Sequence, residues 1–240
     1  MIVYAIVILL ALTITLLTSR VTEVRNPLWS GLVFAIFHIL STLVLLPKFE
    51  MFDWHLSVPL LAFTLSLFPL LTYDTSVIRH NPSVICVASA LFIGIATVFE
   101  PLILWLIPAY LVAMFVLRIF SLKTIVALVI GIITPLIWNG YNGMWSVDND
   151  SKAITTNHQG IVLFILFLLL VVSSWHFYKK MYADKSRTRI NYQILIIMGL
   201  CSLVLAFITL LMSLQSSLTF FYILLITTSI LVVRMIDRLI

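Results

Sequence analysis

The chain has 240 residues, 62% of them hydrophobic and 10% charged, with a formal net charge of +5. So few polar side chains cannot coat a water-soluble globule of this size, which excludes a soluble enzyme or binding domain and calls for lipid as the solvent. Nucleic acid is not the partner that the positive balance implies, because the basic residues stand in short segments between apolar runs rather than on one polar face.

Each crossing of a hydrocarbon core about 30 Å thick takes roughly 17–25 apolar residues. Apolar runs set against turn residues and charges predict helices near 2–18, 28–47, 55–73, 82–99, 101–117, 123–145, 160–178, 190–212 and 216–235. The expected fold is therefore all-α: a polytopic transmembrane helical bundle of about nine spans, forming one integral membrane domain over residues 1–240. The first run, Ile2 to Thr18, has no Lys or Arg before it and no small-x-small cleavage site after it. It reads as a retained helix with Arg20 on the cytoplasmic side, so the N-terminus is expected outside.

The break between the fourth and fifth helices rests on Glu100-Pro101. Without it, Ser83 to Leu117 would form one helix of roughly 52 Å at 1.5 Å per residue, too long for a single crossing. Proline also disfavours helical geometry at the residue before it and suits the first turn of a new helix. With a turn there and the N-terminus outside, the inner segments carry Arg20, Arg25, Arg79, Arg118, Lys123, Lys179, Lys180, Lys185, Arg187, Arg189, Arg234 and Arg238. The outer segments carry Lys48 and Lys152 alone, as the positive-inside rule requires, and the C-terminus is expected in the cytoplasm. With no eukaryotic targeting cue, a bacterial inner membrane is the simplest location. Trp29, Trp54, Trp138, Trp145 and Trp175 fall at helix ends, where amphipathic rings meet the headgroups. Small residues four apart, Cys86, Ala90 and Gly94 on the fourth helix and Ala127 and Gly131 on the sixth, predict close helix contacts. Pro69, Pro108 and Pro135 predict kinks.

Ionisable groups within or beside the spans are the candidate site residues. His38 lies about eleven residues into the second helix; an intramembrane histidine is a functional candidate, and its plainer role is a neutral imidazole bonded to backbone or to a hydroxyl such as Ser41 or Thr42. Glu100 begins the fifth helix, where its charge complements the dipole; the rival role is a carboxylate aimed at a substrate in the outer leaflet. Glu50 and Asp53, with Lys48 and His55, make the first outer loop dense in ionisable groups, a set able to do acid–base work or simply to be solvated. The basic loop with Lys179, Lys180, Lys185, Arg187 and Arg189 sets topology and attracts anionic lipid headgroups. No phosphate-binding glycine loop, His-Glu-x-x-His motif or metal-spaced ligand pair occurs, so no metal or cofactor is expected. Cys86 and Cys201 lie in separate apolar runs and read as small buried hydrophobes.

Between Ala88 and Tyr141 the chain carries Gly94-Ile95-Ala96, Glu100-Pro101, Arg118-Ile119-Phe120-Ser121-Leu122-Lys123 and Gly131-Ile132-Ile133-Thr134-Pro135. In this order the segments resemble a family of multi-pass inner-membrane proteins of Bacteroidota known as a domain of unknown function. The resemblance implies an integral inner-membrane protein and no particular activity. More remotely, a small-residue helix, a proline-led helix, a basic inner loop and a Gly-x-x-x-Pro helix look like the membrane half of polyprenyl-phosphate-dependent glycosyltransferases, which would give Asp53 or Glu50 the position of their outer-loop acid. The leading expectation is a scaffold or accessory subunit of an envelope process, with the bilayer and other membrane subunits as partners. A lipid-carrier-dependent transferase at the outer face is the alternative, and a small-molecule or lipid transporter the third.

Overall fold

The computed structural model describes residues 2–21, 24–45, 54–73, 81–141, 157–180, 186–212 and 217–237. Among these, nine α-helices follow one another: α1 (Ile2–Val21), α2 (Leu28–Leu45), α3 (Trp54–Thr72), α4 (Pro82–Phe99), α5 (Ile107–Val116), α6 (Leu122–Tyr141), α7 (Asn157–Lys180), α8 (Ser186–Leu211) and α9 (Ser217–Asp237). A 3-10 segment, η1 (Pro101–Leu106), leads into α5. Five of the helices, α4 and α6 to α9, are each long and apolar enough to cross a membrane, and the others contain shorter apolar helical stretches. The molecule is an all-α, membrane-embedded bundle, and it wears its large apolar side chains outside: Phe115 is 71% exposed, Ile137 66% and Leu211 70%.

Helix α9 is the centre of the bundle. From Thr219 to Val233 every residue is buried, against α8, α7, α2, α3 and α1. It is not the most apolar helix, since it buries Thr227, Thr228 and Ser229. Those hydroxyls donate to carbonyls three or four residues back in the same helix, which satisfies them without a partner from outside. In lipid, burial selects small and self-satisfied residues as readily as large apolar ones, because the solvent is itself apolar.

Helices α4 and α6 form the tightest pair. Gly94 lies against Ile132 and Pro135, and Gly131 lies against Val87 and Ala90. Four residues forward on α4, from Ala90 to Gly94, correspond to four residues forward on α6, from Gly131 to Pro135, so the two helices run parallel. The chain must therefore recross the bundle between them, and η1 with α5 makes that return. Six 3-10 residues at about 2.0 Å and ten α-helical residues at about 1.5 Å give roughly 27 Å, close to one hydrocarbon thickness. The return is thus not the single α-helix expected over 101–117; its first turns are drawn out as 3-10 helix. Pro108 is accordingly no kink, since it sits in the first turn of α5, where no intrahelical hydrogen bond is lost. Pro135 is inside α6, and α3 contains both Pro59 and Pro69.

Between α5 and α6 the chain turns within a few residues. The amide of Ile119 donates to Met114 and that of Arg118 to Phe115, both at 3.0 Å, with Arg118 at φ 59°. This is the paired closure of a helix C-terminus through a left-handed residue. The next helix begins with a reciprocal cap: Thr124 N–H donates to Ser121 Oγ at 3.3 Å, and Ser121 N–H donates to Thr124 Oγ1 at 2.9 Å.

Candidate functional site

Cross-helix contacts collect the polar groups at one end of the bundle. Phe177 of α7 meets Tyr192 of α8 at a ring separation of 5.2 Å, and the Arg234 guanidinium of α9 lies 5.8 Å from the Tyr192 ring. Asp237 pairs with Arg234 at 3.6 Å and accepts the backbone N–H of Arg25, ahead of α2, at 3.1 Å. Arg187, in the first turn of α8, donates to the carbonyl of Thr72, the last residue of α3, at 2.7 Å. Ser89 of α4 donates to the Ser66 carbonyl of α3, which joins the two helices along their length. Arg25, Arg187 and Arg234 thus meet at one end, with Lys179 in the last turn of α7 and Arg189 in the first turn of α8 beside them.

Here α7, α8 and α9 enclose a small pocket lined by Ser173, His176, Phe177, Tyr192, Leu231, Arg234 and Met235, with room for about one water molecule. Tyr192 and Asn191 are buried beside it. Arg234, in its lining, pairs with Asp237 three residues on. Reading the sequence for site residues passed over them, although an Arg and an Asp three apart at the end of an apolar run are the visible signal.

Two further polar contacts bridge helices inside the bundle. His38 Nδ1 lies 3.1 Å from the Tyr222 hydroxyl of α9, with the Phe34 ring stacked one turn back at 6.3 Å. A partner of the candidate histidine is thus a tyrosine 184 residues away, which no local pattern announces. Tyr110 of α5 is buried and shares a hydrogen bond with the Ser66 hydroxyl. A His–Tyr or Tyr–Ser contact can relay a proton or pin a helix.

The predicted site residues do not converge. Glu50, Asp53 and Lys185 lie outside the described residues, as do Lys48, Asp74, Arg79 and Lys152; the Lys180 and His55 side chains are likewise outside them. Glu100 ends α4 and turns the chain with its backbone. Its N–H donates to Ala96 at 2.9 Å and its carbonyl accepts from Ile103 at 3.1 Å. Its side chain makes no capping hydrogen bond to η1, so the expected cap is a main-chain one. Lys179 stands 5.2 Å over the Trp175 ring in the last turns of α7. Arg189 is half-buried on α8. Cys86 is buried and Cys201 half-buried, both as free thiols. Among the described residues no three His, Cys, Asp or Glu side chains gather to hold a metal ion. Compared with models of known protein families, with curated proteins and with solved structures, the chain matches none of them.

Proposed function

We propose that the chain crosses a bacterial inner membrane nine times, N-terminus outside and C-terminus in the cytoplasm, and serves as a non-catalytic scaffold or accessory subunit of an envelope process. The observation that carries this reading is the interior around α9. There the hydroxyls of Thr227, Thr228 and Ser229 close on their own helix, and that of Tyr222 ties α9 to His38 of α2. The threading draws on the charge pattern of the sequence and on the meeting of Arg25, Arg187 and Arg234 at one end, which fits the cytoplasmic side. The parallel course of α4 and α6 supports an even number of crossings from one to the other, as a genuine turn at Glu100 requires.

The test is affinity purification from native membranes with identification of what accompanies the chain. Stoichiometric membrane subunits are the expected result; a chain that emerges alone from every mild detergent defeats the scaffold reading. Reporter fusions in the α7–α8 connection should report the cytoplasm, and fusions at Glu100 the opposite side.

A second reading, group transfer from a lipid carrier at the outer face, draws on Glu50, Asp53 and Glu100, the carboxylates that the charge pattern of the sequence assigns to the outer side. Alanine at each of the three, with protein level unchanged, separates the two. Loss of an envelope glycan favours the transferase, and wild-type behaviour removes it.

A further inference from the structure

Arg189 heads a stripe on α8 that is half-buried at first and exposed further on. Gln193, Ile196, Leu200, Val204, Phe207 and Leu211 follow it at helical spacing, within an arc of about 80°, the first two half-buried. Leu200, Val204, Phe207 and Leu211 are exposed, whereas Asn191, Tyr192, Leu195, Met198 and Ser202 on the other side are buried. From Leu200 on, the stripe is therefore outer wall of the bundle, and the half-buried guanidinium stands on the same side of α8 at its basic end.

The first turn of α8 contains no acidic residue, yet a helix N-terminus is the positive end of the dipole and favours negative charge. Two arginines stand there instead. Arg187 is accounted for, since it donates to the Thr72 carbonyl at the negative end of α3. Arg189 is half-buried and, among the described residues, meets no carboxylate. An anion from outside the chain would satisfy both the guanidinium and the helix end. Depth says what kind of anion fits. Leu200 is eleven residues further along, roughly 16 Å at 1.5 Å per residue, which is half of a hydrocarbon core of about 30 Å. A molecule with its charge at Arg189 thus has one leaflet of apolar wall beneath it.

We propose that this face of α8 is a seat for a net-negative phospholipid, its phosphate held by Arg189 and its acyl chains reaching along the helix to the exposed Leu200. The planar guanidinium matches a phosphate with two parallel hydrogen bonds. The surrounding Lys and Arg side chains disfavour the choline or ethanolamine cation of a zwitterionic lipid. The proposal rests on the reading that the basic end lies at headgroup level, and it does not depend on which side of the membrane that end faces.

The experiment is native mass spectrometry of the full chain in detergent, titrated separately with phosphatidylglycerol, phosphatidylcholine and inorganic phosphate. Phosphatidylglycerol should bind in preference to phosphatidylcholine, should weaken as salt is raised, and should not be displaced by inorganic phosphate. Arg189→Gln should weaken it about five-fold, Arg189→Lys less, and Lys123→Gln, on α6, not at all. Equal binding of both lipids to the wild-type chain overturns the proposal, as does an Arg189→Gln chain that binds phosphatidylglycerol like the wild type. If that variant does not fold, the wild-type lipid preference and its salt dependence still decide. Because detergent has no sides, a wrong threading would show in the reporter fusions and leave this result untouched.

Discussion

Gly131 of α6 and Ala90 of α4 touch so closely that a Cβ on the glycine would stand 2.5 Å from the Ala90 Cβ and 2.8 Å from the Val87 carbonyl. Neither neighbour is a flexible chain end, so a methyl there forces the helices apart. Gly131→Ala is expected to cost at least about 2 kcal/mol, in the upper range of overpacking effects, and Gly131→Leu to abolish a monodisperse fold. Gly160→Ala is the control, since nothing lies within 4 Å of a Cβ at that position of α7; it should be neutral or stabilising by up to about 1 kcal/mol. Thermal unfolding in detergent measures both.

Tyr222→Phe removes the hydroxyl that meets His38 while leaving the ring in place. Interhelical hydrogen bonds in membranes contribute about 1 kcal/mol, and a loss of that size is expected. His38→Phe should cost a similar amount, and the double variant little more than either single one. Additive losses would show that the two residues act separately.

Tyr110→Phe gives the corresponding test at the contact between α5 and α3. The buried hydroxyl shares its proton with Ser66, so its removal should cost about 1 kcal/mol. It should also increase hydrogen exchange at the start of α6, because α5 is held to α3 at this point.

At the corner between α5 and α6, Arg118 occupies a left-handed conformation, φ 59°, that costs a non-glycine residue about 1–2 kcal/mol. Arg118→Gly is expected to raise stability by about 1 kcal/mol in detergent. Removing a positive charge beside Lys123 should at the same time lower the fraction of chains inserted the right way round. Thr124→Val removes the reciprocal cap with Ser121 and should lower stability by about 1 kcal/mol.

The helices themselves are legible from apolar runs and charge, and α4 falls on Pro82–Phe99 as its residues suggest. Proline at its first turn and Asn81, which accepts the Ser83 N–H at 3.1 Å, mark its start. The small residues Ala90, Gly94 and Gly131 likewise announce where backbones meet. What cannot be read from the chain is which helix lies innermost. In water an apolar stripe points to the core, but in lipid both faces of α9 are apolar enough for either place. The His38–Tyr222 contact is hidden for a related reason, since a tyrosine in an apolar run gives no sign of a partner in a distant helix. The 3-10 stretch Pro101–Leu106 answers a need for length that only the parallel placement of α4 and α6 creates.

Helix α9 is synthesised after all five of the helices it packs against, α1, α2, α3, α7 and α8. Those five must leave the insertion machinery with a vacancy among them, lined by surfaces that have no permanent neighbour, and remain open until the missing column arrives. Maturation is therefore a late, concerted closing event rather than stepwise growth. A chain stopped before Ser217 would be inserted yet hollow, and so a ready target for membrane proteolysis.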